Sequence, residues 1–154
     1  MWAWVRIRLL LWQSDFFIVP FLCWNYYPQG DFIASLINSP VPVISSFNAC
    51  ADECYISTIN VAELYKGVYC SLRVEQNLAS LELFLQDMPI ISFDLLAAKE
   101  FGKIQSELRQ IGKPTGELDA MIAAVARSRH DQVVTNNTKD FINISGLRLE
   151  NWIV

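Results

Sequence analysis

The chain reads as a single α/β domain built on a parallel sheet, and three observations predict this. Short apolar, β-prone runs alternate with longer stretches whose apolar residues recur at helical spacing. The 154 residues are 53% hydrophobic with six Gly and six Pro, enough to bury one core and too few for two domains. Capping residues, glycine and proline stand where one period gives way to the other. The composition excludes a disordered chain and a collagen-like repeat, and no self-similar period suggests a solenoid.

From residue 31 onward the pattern divides as follows. Phe32 to Ile37 reads as a helix that Asn38 to Pro42 break, and Val43 to Ala51 as a second short helix. Cys54 to Ser57 is a short β-prone run. A helix from Asn60 to about Tyr69 draws its apolar stripe from Ile59, Val61, Leu64 and Val68. The next, Val74 to Gln86, turns Leu78, Leu81, Phe84 and Leu85 inward, and Pro89 stops it before a predicted buried strand at Ile90 to Phe93. Asp94 is an N-cap for a helix through Arg109 with Leu95, Ala98, Phe101, Ile104 and Leu108 inward, closed by Gly112 and barred by Pro114. Leu118 to Arg129 is an Ala-rich helix, Gln132 to Thr135 a strand, and Leu147 to Val154 a last strand. Sites in open parallel sheets form beyond the carboxyl ends of strands, which directs attention to the residues after Ser57 and Val134.

Residues 1–30 form a separate segment. They hold four of the five tryptophans and nine of the nineteen aromatics, with only Arg6, Arg8 and Asp15 as charges. The apolar run breaks at Gln13-Ser14-Asp15 and at Pro20, so neither a cleaved signal nor a membrane span is expected. Twelve Lys and Arg against sixteen Asp and Glu give a net charge of -4, so any contact with nucleic acid is local rather than drawn by the net field. Cys23, Cys50, Cys54 and Cys70 lack CxxC spacing and His130 stands far from them. That excludes structural zinc and points to reduced, mostly buried thiols in a cytoplasmic protein.

Three acids lie near helix starts or strand ends: Glu63, Asp119 and Asp140. Clustered carboxylates without histidine repel one another and suit a hard divalent cation, which polarises a phosphate oxygen and acidifies water. Each acid also has a plainer reading. Asn60-x-x-Glu63 fits a capping box, Asp119 complements a helix dipole, and Asp140 is a turn residue. Lys66, Lys113 and Lys139 are solvated charges or phosphate contacts, and His130 an exposed helix-end residue.

Three stretches together, Ile56 to Gly67, Gly116 to Ala124 and Val133 to Phe141, resemble the PIN-domain ribonucleases, and among them the VapC toxins of prokaryotic toxin–antitoxin pairs. The resemblance covers residues 31–154 and implies a PIN-like fold, a central parallel sheet flanked by helices. It implies Mg²⁺ or Mn²⁺ in an acidic pocket, endonucleolytic cleavage of RNA such as tRNA or rRNA, a homodimer, and inhibition by a small cognate antitoxin. Glu63 and Asp119 match metal-holding acids of the family, and Asp140 a more variable fourth acid. Thr135 and Asn137 match polar positions that orient the acids or a water on the metal; Lys66 and Lys139 are placed to meet phosphate. The family's first strand ends in Asp-Thr-Asn, whose aspartate is the first ligand, and that motif is absent from this chain. Asp31 is the nearest substitute before the first helix, whereas Asp15 stands too far upstream. The departure leaves a second expectation open, a catalytically inactive PIN fold that still dimerises or binds antitoxin. A disrupted reading frame with the first strand lost accounts for both the departure and the odd segment; an undisturbed frame with this N-terminus in close relatives excludes it.

Overall fold

A five-stranded parallel sheet forms the centre of the computed structural model, which describes residues 16–18, 45, 46, 49, 50 and 53–152. The elements are β1 (Phe16–Ile18), β2 (Cys54–Ser57), α1 (Thr58–Tyr69), α2 (Val74–Asp87), β3 (Ile90–Ile91), α3 (Leu95–Gln110), α4 (Glu117–Arg129), β4 (Gln132–Val134), α5 (Thr138–Phe141) and β5 (Arg148–Glu150). Residues 45, 46, 49 and 50 are helical, as expected for the second short helix; the predicted helix at Phe32 to Ile37 lies outside the described residues.

The strands run in the order β3-β2-β1-β4-β5, with every pair parallel. Phe16 stands opposite both Cys54 and Gln132, and Ile18 opposite Val134, so the carboxyl ends of these strands share one edge. Chain order reverses at β1, and a reversal of this kind opens a crevice beyond the strand ends. The middle strand belongs to the aromatic N-terminal segment, where periodicity marks no element although Phe-Phe-Ile is β-prone. A first strand is therefore present rather than lost.

Burial explains the helices. In α4, Ala120 and the run Ile122 to Ala126 are at most 1% exposed, and with Ala97, Ile104 and Leu108 of α3 and Val133 of β4 they form the main core. A second cluster joins Ile56 of β2 to Leu64 and Val68 of α1 and Leu81 of α2. Asp94 caps α3, its Oδ1 accepting from the Ala97 amide at 2.9 Å, and Gly112 follows the helix with φ of 64°. His130 ends α4 in the left-handed region and is exposed.

Three expectations fail. The strand at Ile90 is two residues long and Ile90 is 42% exposed, because among the described strands β3 is the sheet's edge and pairs with β2 alone. Leu95 is 85% exposed and Ala98 is exposed as well: the buried face of α3 starts at Ala97, and Leu95, its first residue, precedes the turn at which the apolar stripe meets α4. Among the described cysteines only Cys54 is buried; Cys70 caps α1 in solvent, and Cys50 is partly covered. All three are free thiols.

Two polar clusters fix the helices to the sheet. Arg127 of α4 donates from Nε to Glu100 Oε2 at 2.9 Å, and from Nη1 to Glu107 Oε2 at 2.6 Å and to the Ser145 carbonyl at 3.0 Å. It thereby clasps α3 and the turn before β5. At the amino end of the sheet, the Tyr55 hydroxyl donates to Asp131, which also pairs with Arg129 Nε at 3.3 Å, while the Arg129 guanidinium lies 5.7 Å from the Tyr55 ring centre. Burial and the Asp131 bond push the Tyr55 phenol well above its ordinary value, so it remains a donor.

Replacing Arg127 with Ala leaves Glu100 and Glu107 facing each other's charge without their shared cation, and is expected to cost about 2 kcal/mol. Arg127→Lys restores less than half of this, because an ammonium does not serve two carboxylates and a carbonyl in one plane. Urea midpoints of the three proteins check both statements.

Candidate active site

Glu63 owes its freedom to the way α1 begins. Ser57 is the last residue of β2, extended at φ -88° and ψ 160°, and its hydroxyl accepts from the Asn60 amide at 3.2 Å. The Asn60 side chain returns the bond, its Oδ1 accepting from the Ser57 amide at 3.1 Å and from the Ser57 hydroxyl at 2.7 Å. The predicted Asn60-x-x-Glu63 capping box is thus replaced by a Ser57-x-x-Asn60 box. Serine is a favoured N-cap, and starting there lets the helix grow directly from the strand end. Glu63 lies in the second turn with no capping duty, half-buried. Burial raises its carboxyl above the ordinary range, Asp119 raises it further, and Lys66 one turn on pulls it partly back.

Asp119 is the third residue of α4, whose N-cap is Gly116. Its carboxylate folds back over the cap: a Cβ built on Gly116 would stand 2.8 Å from Asp119 Oδ2. A helix N-terminus favours a carboxylate, yet burial and the neighbouring Asp140 leave the Asp119 carboxyl raised. Dipole complementation alone does not describe it.

Asp140 sits in α5, after the end of β4, and is fastened from two sides. Asn137 Nδ2 donates to Asp140 Oδ2, and Thr115 Oγ1 donates to the Asp140 carbonyl at 2.7 Å. Asn137 is itself placed by Thr135, whose Oγ1 accepts from the Asn137 amide at 3.0 Å. Thr135 is fully buried and continues the ladder through its amide to the Glu150 carbonyl at 2.9 Å. Asp140 is therefore more than a turn residue, and Thr135 and Asn137 lie where the sequence expects helpers of the acids. Thr115 and Gly116 are the contributors that the sequence reading missed; a glycine three residues ahead of an acid at a helix start was the available signal.

Glu63, Asp119 and Asp140 form a row in which the middle carboxylate touches the field of both ends. Lys66 and Lys139 are exposed on α1 and α5. Asp31 and Asp15 lie outside the described residues. The sequence after β1 reads Val19-Pro20, with no carboxylate where the family has its first one.

Among the described residues no three carboxylate, thiol or imidazole groups close tightly enough to enclose a metal ion. The donor chemistry nonetheless fits a hard cation. Burial and a neighbouring acid raise the cost of ionising two half-buried carboxylates, Asp119 acting on Glu63 and Asp140 on Asp119, and Mg²⁺ takes one or two carboxylates and fills its remaining positions with water. A cage of protein ligands is not required. No helix among the described residues is long and apolar enough to cross a membrane.

Comparison with known proteins agrees with this geometry. A family model described as the PIN domain matches residues 32–147. The chain is 39% identical over 120 residues to a tRNA(fMet)-specific endonuclease VapC of Shigella flexneri, covering 78% of this chain and 91% of that one. It is 41% identical over 114 residues to ribonuclease VapC2 of Haemophilus influenzae, covering 74% and 86%. A crystal structure of DNA-bound VapBC from Salmonella typhimurium superposes with a TM-score of 0.78 at 36% identity, over 90% of this chain and 98% of that one. VapBC2 of Rickettsia felis, bound to a DNA fragment of its promoter, gives 0.76 at 31% over 89% and 98%. With its reversing parallel sheet, its row of acids at the strand ends and these relatives, the chain belongs to the PIN-domain family, among the VapC ribonucleases.

Proposed function

We propose that this protein is a toxin of the toxin–antitoxin kind, an endoribonuclease that cleaves RNA with the help of Mg²⁺ or Mn²⁺ in the cytoplasm. The observation that carries the reading is the row of Glu63, Asp119 and Asp140 at the carboxyl edge of the sheet, where burial first and a neighbouring acid second raise the Glu63 and Asp119 carboxyls. Folding half-buries both carboxylates and sets an acid beside each, Asp119 beside Glu63 and Asp140 beside Asp119, an arrangement that favours a cation. PIN-domain nucleases as a family depend on divalent metal.

In this reading Glu63 and Asp119 hold the metal, with Asp140 beside them and Asp31 as a further candidate ligand from outside the described residues. A bound divalent cation neutralises charge on the scissile phosphate and supplies an acidified water. The chain's own residues do the rest. Asn137 and Thr135 keep the Asp140 carboxylate from rotating away, and the Ser57–Asn60 cap fixes the helix from which Glu63 projects. Exposed Lys66 and Lys139 offer positive charge to the RNA backbone.

The solved relatives of Salmonella and Rickettsia are VapBC complexes, which supports a small antitoxin as partner. Leu95, Leu96 and Ile142 are 85%, 64% and 69% exposed, apolar area available to a homodimer or to that antitoxin. tRNA is the first substrate class to test, since the Shigella relative is named for tRNA(fMet).

One observation favours a second reading. The sequence that follows β1 lacks the aspartate of the family motif, which is what an inactive PIN fold with retained partner binding would show. Incubation of a tRNA and rRNA pool with the full chain, with and without Mn²⁺, decides between them. Discrete cuts that need metal establish the nuclease; no cutting by folded protein that still binds antitoxin establishes the inactive form.

Glu63→Gln and Asp119→Asn are each expected to lower cleavage by about 10²-fold or more while the fold is kept, since a misplaced or lost ligand displaces the attacking water. Circular dichroism alongside gel assays of cleavage checks this.

The raised carboxyls also set a pH dependence. Between the ordinary carboxylate range and the raised values, the native state binds more protons than the unfolded chain, so metal-free stability falls as pH rises through that window. In Glu63→Gln the fall is shallower, and stability near neutrality without metal exceeds that of wild type by about 0.5–1 kcal/mol. Millimolar Mg²⁺ reverses the order by stabilising wild type alone. Melting curves from about pH 4 to 7, in chelator and in Mg²⁺, read all three effects.

A further inference from the structure

The dipeptide Thr115-Gly116 touches two of the three acids. Gly116 adopts φ -59° and ψ 146°, a conformation open to any residue, so backbone freedom does not explain a glycine here. Space does: a Cβ at this position would lie 2.8 Å from Asp119 Oδ2 and 3.8 Å from Asp119 Cγ. Thr115, its neighbour, donates its hydroxyl to the Asp140 carbonyl at 2.7 Å across twenty-five residues of chain. The loop that starts α4 is thereby tied to α5, and the carboxylate of Asp119 rests over the same loop.

We propose that Thr115 and Gly116 are positioning residues that set the placement of the Asp119 and Asp140 carboxylates relative to one another, and through it the site's affinity for its divalent cation. The inference rests on the metal-dependent reading given above. Gly116 acts by leaving room: any side chain there turns the Asp119 carboxylate away from the cap. Thr115 acts by holding the main chain of Asp140 while Asn137 holds its side chain, so the acid is fixed at both ends. Neither residue needs to touch the RNA or the metal. Partners that orient metal ligands from behind commonly change metal affinity by about 10- to 100-fold when removed.

The test is Mn²⁺ binding by calorimetry to the full chain, in wild type, Glu63→Gln, Gly116→Ala, Thr115→Val and Thr115→Ser, with melting temperatures in chelator. Gly116→Ala and Thr115→Val are expected to bind Mn²⁺ about 10-fold more weakly, with metal-free melting within about 3 °C of wild type, and Thr115→Ser to restore wild-type affinity. Binding at wild-type strength in both Gly116→Ala and Thr115→Val, where Glu63→Gln abolishes it, overturns the positioning role and leaves the metal site standing. A loss of metal-free stability that Thr115→Ser does not rescue also overturns it, assigning the loop to folding alone. Absence of Mn²⁺ binding by wild type overturns the metal-dependent reading itself, and this inference with it.

Discussion

Helix α4 lies between α3 and the sheet only because positions 120, 123, 124 and 126 are alanine, each fully buried, with Ile122 and Val125 filling the space on either side. A larger side chain at any of them would push the helix off the sheet, since interiors at this density accommodate extra methylenes poorly. The rest of the molecule is referred to that contact. One end of α4 carries Asp119 into the acidic row, and the other carries Arg127 into the clasp on α3 and His130 into the left-handed turn that leads to β4. A shift of this helix along its axis would move Asp119, the clasp and the strand entry together.

At the carboxyl edge the fold works against its own electrostatics. Glu63, Asp119 and Asp140 arrive from three separate elements, so no local sequence pressure brings them together; only the sheet order does. Parallel pairing places the ends of β1, β2 and β4 on one side, and the helices that follow β2 and precede β4 deliver their acids to that side. The hydrogen bonds from Asn137 and Thr115 hold Asp140 in place without supplying positive charge. Strain of this kind is characteristic of sites whose ligand contributes part of the stability.

Legibility followed local physics. The spans of α1 to α4 and the runs at Cys54 to Ser57 and Gln132 to Val134 were readable because periodicity, caps and breakers are all encoded within a few residues. Glu63, Asp119, Asp140, Thr135 and Asn137 were singled out through family motifs rather than spacing alone, and the sheet order brings the three acids to one edge, with Asn137 on Asp140 and Thr135 on Asn137. Other features depended on distant parts. The exposure of Ile90 follows from β3 being an edge, which only the sheet order reveals. β1 was hidden by a segment so aromatic that its strand run did not stand out. The cap of α1 was misread because Asn60 and Ser57 are both good capping residues, and which one caps is decided by where β2 ends. Gly116 was unreadable because its reason is a neighbour's carboxylate and not its own backbone.

The Ser57–Asn60 cap has an evolutionary consequence. The helix is initiated by two uncharged side chains, so its formation does not involve the acid that follows them. If Glu63 holds the metal as proposed, a single-base change at its codon would silence the chemistry without unfolding the chain, and the product would still present the surfaces by which a partner recognises it. A lineage that carries a harmful gene has in this fold a short route to a harmless competitor for the partner, one mutational step long and open to reversal by the same base.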